Sequence, residues 1–303
     1  MQIIKTFLLF VIVCVGLLLV ALFPREPEIR AEGRAQTVKV VYEFSWTKYK
    51  ENLSGFFSHL INEKSLGDTR YKKPVEQEVF VYFTRSLKII VTAFILSLFV
   101  GILKGIFDFQ NSHTKRNFLG NGTTWVLQSI PDFLLILFIM WFIILNFRGL
   151  NIMGHDAWYN FIFPAFLVSI YPAMYISRIT SAAILGEVGQ QYIQVAKAKG
   201  LTKKIVLYKH VLRNCMSTIL SNVPTMTIFI LSNLLFVEYL LDYRGAAYRL
   251  FQAIDFRRTI LVGRAEFNLY EPSVIIAYGI GFMIIVLFVQ LGSQLISRKL
   301  DPR

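Results

Sequence analysis

Apolar residues fall in six long runs, near 7–23, 86–107, 123–147, 158–182, 215–241 and 272–297, with the polar residues gathered between them. A helix needs about 20 mostly apolar residues to cross a bilayer, so each run predicts one span. The first, FLLFVIVCVGLLLVALF, follows Lys5 and ends at Pro24. A cleaved signal peptide is the rival reading. No small-x-small cleavage site follows the apolar core, and Cys14 sits mid-run after bulky Val13, so a retained anchor helix is expected.

The loops set the orientation. Between the second and third runs lie His113, Lys115 and Arg116 against Asp108. Between the fourth and fifth lie Lys197, Lys199, Lys203, Lys204, Lys209 and Arg213 against Glu187, and the chain ends in SRKLDPR. Lys/Arg-rich short loops stay in the cytoplasm, which predicts both termini inside. The opposite loop, 242–271, mixes five arginines with Asp242, Asp255, Glu266 and Glu271. The expected organisation is an anchor helix over 1–23, an extracellular segment over 24–83, a five-span unit over 84–297 and a cytoplasmic tail over 298–303. Within the extracellular segment, FSWTKYKENLSGFFSHLI has helical spacing.

Composition agrees with a polytopic, all-α membrane protein. Of 303 residues, 55% are hydrophobic and 17% charged, whereas soluble domains carry about 25% charged residues. The net charge of +13 would suggest nucleic acid in a soluble protein; here it is a surplus in cytoplasmic loops, and no nucleic-acid partner is expected. Cys14 and Cys215 form no CxxC or Cys/His cluster, and the four histidines (59, 113, 155, 210) make no ligand set, so neither a disulfide framework nor a metal site is expected.

No phosphate loop, HExxH or GxSxG occurs, and GNGTT at 120–124 lacks the lysine that would reach a phosphate. Ion-coupled carriers bind the coupling ion near the midplane with intramembrane charges. Asp132, after Pro131, is the main such residue here, and it reads as a local backbone partner or a pore-lining group. The chain carries no energy source of its own and no sign of an enzyme.

The informative segment is the basic loop within 183–213, EVGQQYIQVAKAKGLTKKIVLYKHVLRN with its flanks. Ile184, Val188, Gln191, Tyr192, Val195 and Lys199 recur at three- and four-residue steps, which predicts a helix over 187–199. Lysines in its last turn suit the helix dipole, Gly200 suits a left-handed C-terminal cap, and Thr202 suits an N-cap for the helix entering the fifth span. Such a stiff element is either an interfacial helix on anionic lipid or a docking element, with Tyr192 and Val195 as apolar anchors and the lysines on the rim. Physics alone leaves both open.

This loop resembles the cytoplasmic signature loop of ABC importer permeases, in the oligopeptide/dipeptide/nickel branch. The resemblance rests on Glu187, Tyr192, AKAKG (196–200) and HVLRN (210–214), with nine residues between Gly200 and His210. SLGD (65–68), TRSLKIIVTAFILSLFVGILKGI, SIPDFLL (129–135), FPAFLVSIYPAMYISR and VEYLLDYRGAAYRLFQAI (237–254) support it. The last is similar to the family's "vExiFxxPGlGxLxxxAI", but Arg244-Gly245-Ala246-Ala247 stands where the family has PGlG. FPREP replaces the usual PGDP after the first span, and Lys197 replaces the arginine of ARAKG.

The resemblance implies a six-span type I ABC importer fold in the bacterial plasma membrane, with half a translocation path per permease. It implies a second homologous permease, a heterodimer being expected, two cytoplasmic ATPase subunits that hold ATP and magnesium, and an extracellular binding lipoprotein. No cofactor is expected on this chain. The first loop helix would be the coupling helix in a cleft of an ATPase, with Glu187, Ala196, Lys199 and Gly200 as its core, Tyr192, Val195 and His210 around it, and Pro131 and Asp132 as pore-lining candidates. Oligopeptides or dipeptides are the implied cargo; a nickel or metallophore importer, or a stand-alone ion-coupled carrier, is the alternative.

Overall fold

Long apolar helices dominate the computed structural model, which describes residues 2–24, 28–32, 37–41, 44–112, 114–147, 153–254, 258–261, 264–267 and 270–300. His113, Asp255 and the tail beyond residue 300 lie outside the described residues. In chain order the helices are α1 (Gln2–Ala21), α2 (Trp46–Ser58), α3 (Val75–Asn111), α4 (Asn121–Ser129), α5 (Asp132–Asn146), α6 (Ile162–Glu187) and α7 (Gln191–Ala198). Then follow α8 (Lys203–Ile205), a π-helical stretch (Val206–Val211), α9 (Leu212–Ser221), α10 (Val223–Leu240), α11 (Ala246–Ile254) and α12 (Pro272–Leu300). Two short antiparallel hairpins accompany them, β1 (Glu28–Glu32) with β2 (Thr37–Val41) and β3 (Arg258–Leu261) with β4 (Arg264–Phe267).

Among the described residues five helices are long and apolar enough to cross a bilayer, and a sixth span exists only if α4 and α5 count as one. Those two bend by 101°. This corrects the continuous span expected over 123–147. The cause is Pro131: the residue before a proline is driven out of the helical region, and Ile130 is extended at φ −86°, ψ 131°. α5 alone, with 15 residues, is about 22 Å long at 1.5 Å per residue, short of a core of about 30 Å. Its first residue, Asp132, accepts a hydrogen bond from the Phe133 amide at Oδ1 (2.9 Å), while Pro131 is exposed.

The chain divides into two compact units. The first holds residues 1–84 and 249–283. There the C-terminal carbonyls of α1, which no helical amide can reach, accept from the Tyr49 hydroxyl (Leu19 O, 2.9 Å) and the Asn52 amide (Leu22 O, 3.2 Å). Phe23, Phe44, Trp46 and Tyr49 cluster around that joint. Ser45 caps α2 through the Lys48 amide.

A buried ion network closes the same unit. Arg249, fully buried, donates from Nε to Glu78 Oε1 and from Nη2 to Glu271. Arg70 meets the same Glu271 through its amide (2.8 Å) and its guanidinium (3.4 Å), and both arginines lie over the Tyr71 ring. A buried charge left unpaired costs several kcal/mol.

The second unit holds residues 85–248 and 284–303. Its centre is α6, the helix with the longest roll of buried residues, which packs on α4, α5, α9 and α10. Ser293 of α12 donates to Leu220 O (2.6 Å) and Tyr175 of α6 donates to the Asn222 side chain (2.8 Å).

Candidate coupling site

α6 runs unbroken to Glu187, Gly189 turns the chain at φ +97°, and α7 begins at Gln191. The helix expected over 187–199 is therefore only eight residues long, and Glu187 ends the preceding helix rather than starting this one. The buried residues of the loop are Ile184 on α6 and Ile193 and Ala196 on α7, whereas Val188 and Val195 of the expected stripe are exposed.

The C-terminal end of α7 follows from local rules. Gly200 is left-handed at φ +76°, its amide donates to Lys197 O (2.9 Å), and the Leu201 amide donates to Ala196 O (3.3 Å). That pair of bonds is the Schellman closure. Thr202 then caps the next helix through the Ile205 amide. α7 packs on the π-helical stretch that carries a half-buried His210.

Tyr192 is half-buried, and its hydroxyl donates to Glu187 Oε2 at 2.7 Å. Burial and the adjacent carboxylate push its phenol up to about 12, so it remains a donor across the physiological range. This bond fastens α7 to the end of α6. Val195 does face outward, as do Leu185 and Val188, and Lys197, Lys199 and Gly200 are exposed beside them. Ala196 is buried.

Two polar networks escaped the sequence reading. In the first, Glu238 on α10 accepts at Oε2 from the amides of Ala247 (2.9 Å) and Tyr248 (3.0 Å), and at Oε1 from the Ser86 hydroxyl. Ser86 in turn accepts from the Ala246 amide (2.7 Å). The first amides of α11 thus find their acceptors inside the protein. In the second, Lys104 and Asp108 of α3 pair within a buried cluster with Thr124 and Ser177. Asp108 belongs to α3 and not to the loop that its position after an apolar run suggests; the four-residue spacing to Lys104 on one helix face is the signal that marks it.

Residues 93–302 match the family described as the binding-protein-dependent transport system inner membrane component. The chain belongs to that family. This permease is 23% identical to the dipeptide transport system permease protein DppB of Alkalihalophilus pseudofirmus, over 85% of this chain and 81% of the relative. It is 24% identical to the glutathione transport system permease protein GsiC of Shigella flexneri serotype 5b, over 88% of this chain and 89% of the relative. In fold it is similar to the inward-facing MetNI methionine ABC transporter, with TM-score 0.58, 15% identity, and coverage of 73% of this chain and 95% of that one. The permease is accordingly a multi-pass cell-membrane protein, an ABC importer subunit of the type I transmembrane fold and a component of a transport system.

Proposed function

We propose that this permease pairs with a second, related permease around a shared path and couples through α7 to separate cytoplasmic ATPase subunits, which bind ATP and magnesium. A binding protein outside would deliver the cargo, for which peptides are the best-supported class. The domain division stands with this reading: anchor 1–23, external segment 24–83, transport unit 84–297 and tail 298–303. The observation that carries it is α7 itself. A short helix, capped at its C-terminal end and hydrogen-bonded to the end of a long span, transmits a push as displacement rather than as bending. The exposed Leu185, Val188 and Val195 offer an apolar face, with Ala196 buried behind it. The basic charges around it would speed and orient docking more than they would hold it. The alternating-access step is then a rigid-body switch. Peptide cargo is supported by the relatives named for dipeptide and glutathione transport.

Purification of the tagged chain from its native membranes, with partners identified by mass spectrometry, tests this directly. A second permease and ATPase activity should co-purify, and Val195→Lys should release the ATPase while leaving the permease pair intact. A chain recovered alone, with no ATPase activity at any salt concentration, would overturn the reading and favour a lipid-bound α7. Uptake of labelled dipeptides against nickel ions, in cells with and without the chain, separates the two cargo classes.

A further inference from the structure

We propose that Lys104 and Asp108 form a latch that makes α3, α4 and α6 one rigid body, so that a displacement entering at α7 reaches the α3 span. The proposal rests on the coupling role of α7.

The cluster is closed. The Lys104 ammonium has three protons and three acceptors: Asp108 Oδ1, Gly120 O (2.9 Å) and Thr124 Oγ1 (3.0 Å). Asp108, fully buried, accepts at Oδ2 from Thr124 (2.7 Å) and from Ser177 of α6 (2.8 Å). Three helices therefore meet at one carboxylate. A fully satisfied buried network rigidifies its surroundings.

The latch closes a seam. Ser97 of α3 donates to Ser169 O of α6 (3.1 Å). A Cβ at Gly101 would lie 2.7 Å from the Ile176 Cβ, and one at Gly105 would lie 2.5 Å from the Thr180 Cβ. Small residues four apart bring two membrane helices into backbone contact, and the Lys104–Asp108 cluster holds the cytoplasmic end of that contact. Ser177 and Glu187 sit ten residues apart on the unbroken α6, about 15 Å along its axis, and Tyr192 joins Glu187 to α7. The path from α7 to α3 thus consists of one hydrogen bond, one helix and one ion cluster.

Stability alone gives weak reason for the pair, because well-packed apolar residues often replace buried ion pairs at no loss. Ionisable residues at membrane depth are otherwise costly. Holding three helices in register is a role that leucines at these two positions would not fill.

The test uses the purified importer complex with Cys14 and Cys215 changed to Ala and spin labels at Gln191→Cys on α7 and Leu103→Cys on α3. Label distances are measured without nucleotide and after trapping with ATP, magnesium and vanadate. In the parent, one narrow distance should persist in both states. Lys104→Leu/Asp108→Leu, which leaves no charge unpaired, should still assemble but lose the single distance in the trapped state, with transmission to α3 lost while ATP hydrolysis continues. An unchanged distance in the double variant, or a parent whose α7 and α3 separate on trapping, overturns the latch. A complex without any ATPase overturns the coupling reading instead.

Discussion

Gly200 and Gly245 both lie at turns beside helix termini, yet they are glycines for opposite reasons. Around Gly200 a Cβ would meet nothing within 4 Å; the requirement is conformational, since φ is +76°. Gly245 is outside the left-handed region, but a Cβ there would lie 2.2 Å from Glu238 Oε1 and 2.4 Å from Ser86 Oγ. One glycine satisfies a rule of local backbone geometry, and the other satisfies a neighbour 7 residues earlier in the chain together with one on α3. Ala246 and Ala247 contribute backbone amides to the Glu238 network, and Ala247 can stand where the family has glycine because it is the amide that the network uses.

Gly245→Ala should have the largest effect. It sets a methyl group against Glu238 and Ser86 and should cost about 3 kcal/mol or more, read as a lower melting temperature and lower membrane abundance. Glu238→Ala should cost somewhat less, about 2 kcal/mol, by stranding the Ala247 and Tyr248 amides. If Glu238 is the obstacle, Gly245→Ala adds little once that side chain is gone, a non-additivity that a double-mutant cycle measures. Additive losses would contradict the close-approach account.

At Gly200 the damage should fall on function instead. Gly200→Ala should cost about 1 kcal/mol of backbone strain, and Gly200→Val or Gly200→Asp should impair transport while the chain still inserts at normal abundance. Normal uptake and ATPase stimulation in those variants would break the assignment of this turn to coupling.

The smallest effect is expected for Tyr192→Phe, about 1 kcal/mol for one hydrogen bond, seen as weaker ATPase stimulation with unchanged assembly. Its pH dependence carries a sign. The Tyr192 phenol is raised from 10 to about 12, so the stability it lends is complete below pH 10 and is lost as pH rises through 12. Thermal melts of the parent and the Phe variant should differ in slope only in that window.

Most of the fold was legible from hydrophobic pattern, because a bilayer imposes length and apolarity residue by residue. The helices α1, α3, α6, α10 and α12 lie on runs read from the sequence, although the start of the run over 215–241 belongs to α9. The apolar run over 123–147 misled because lipid-compatible composition does not reveal direction: Pro131 was visible, but the 101° bend needed packing around it. Likewise the Gly200 and Thr202 caps were readable from neighbouring residues alone, while Tyr192 turned inward because Glu187 lies five residues away across a turn that the periodicity did not mark.

Hydrophobic pattern and local residue order establish that this chain crosses the membrane repeatedly, that its long basic loop is a capped helical element, and which family it resembles. Each of these is a local or compositional property, decided by side chains within a few residues of one another or by the solvent they require. What the buried charges do depends on packing between distant segments. Asp108 accepts from Ser177 on another helix, Glu238 reaches the start of α11, and Arg249 finds Glu78 far back in the chain. Those partners are 69 to 171 residues apart or separated by a turn, and a buried charge is stable only where its partner arrives.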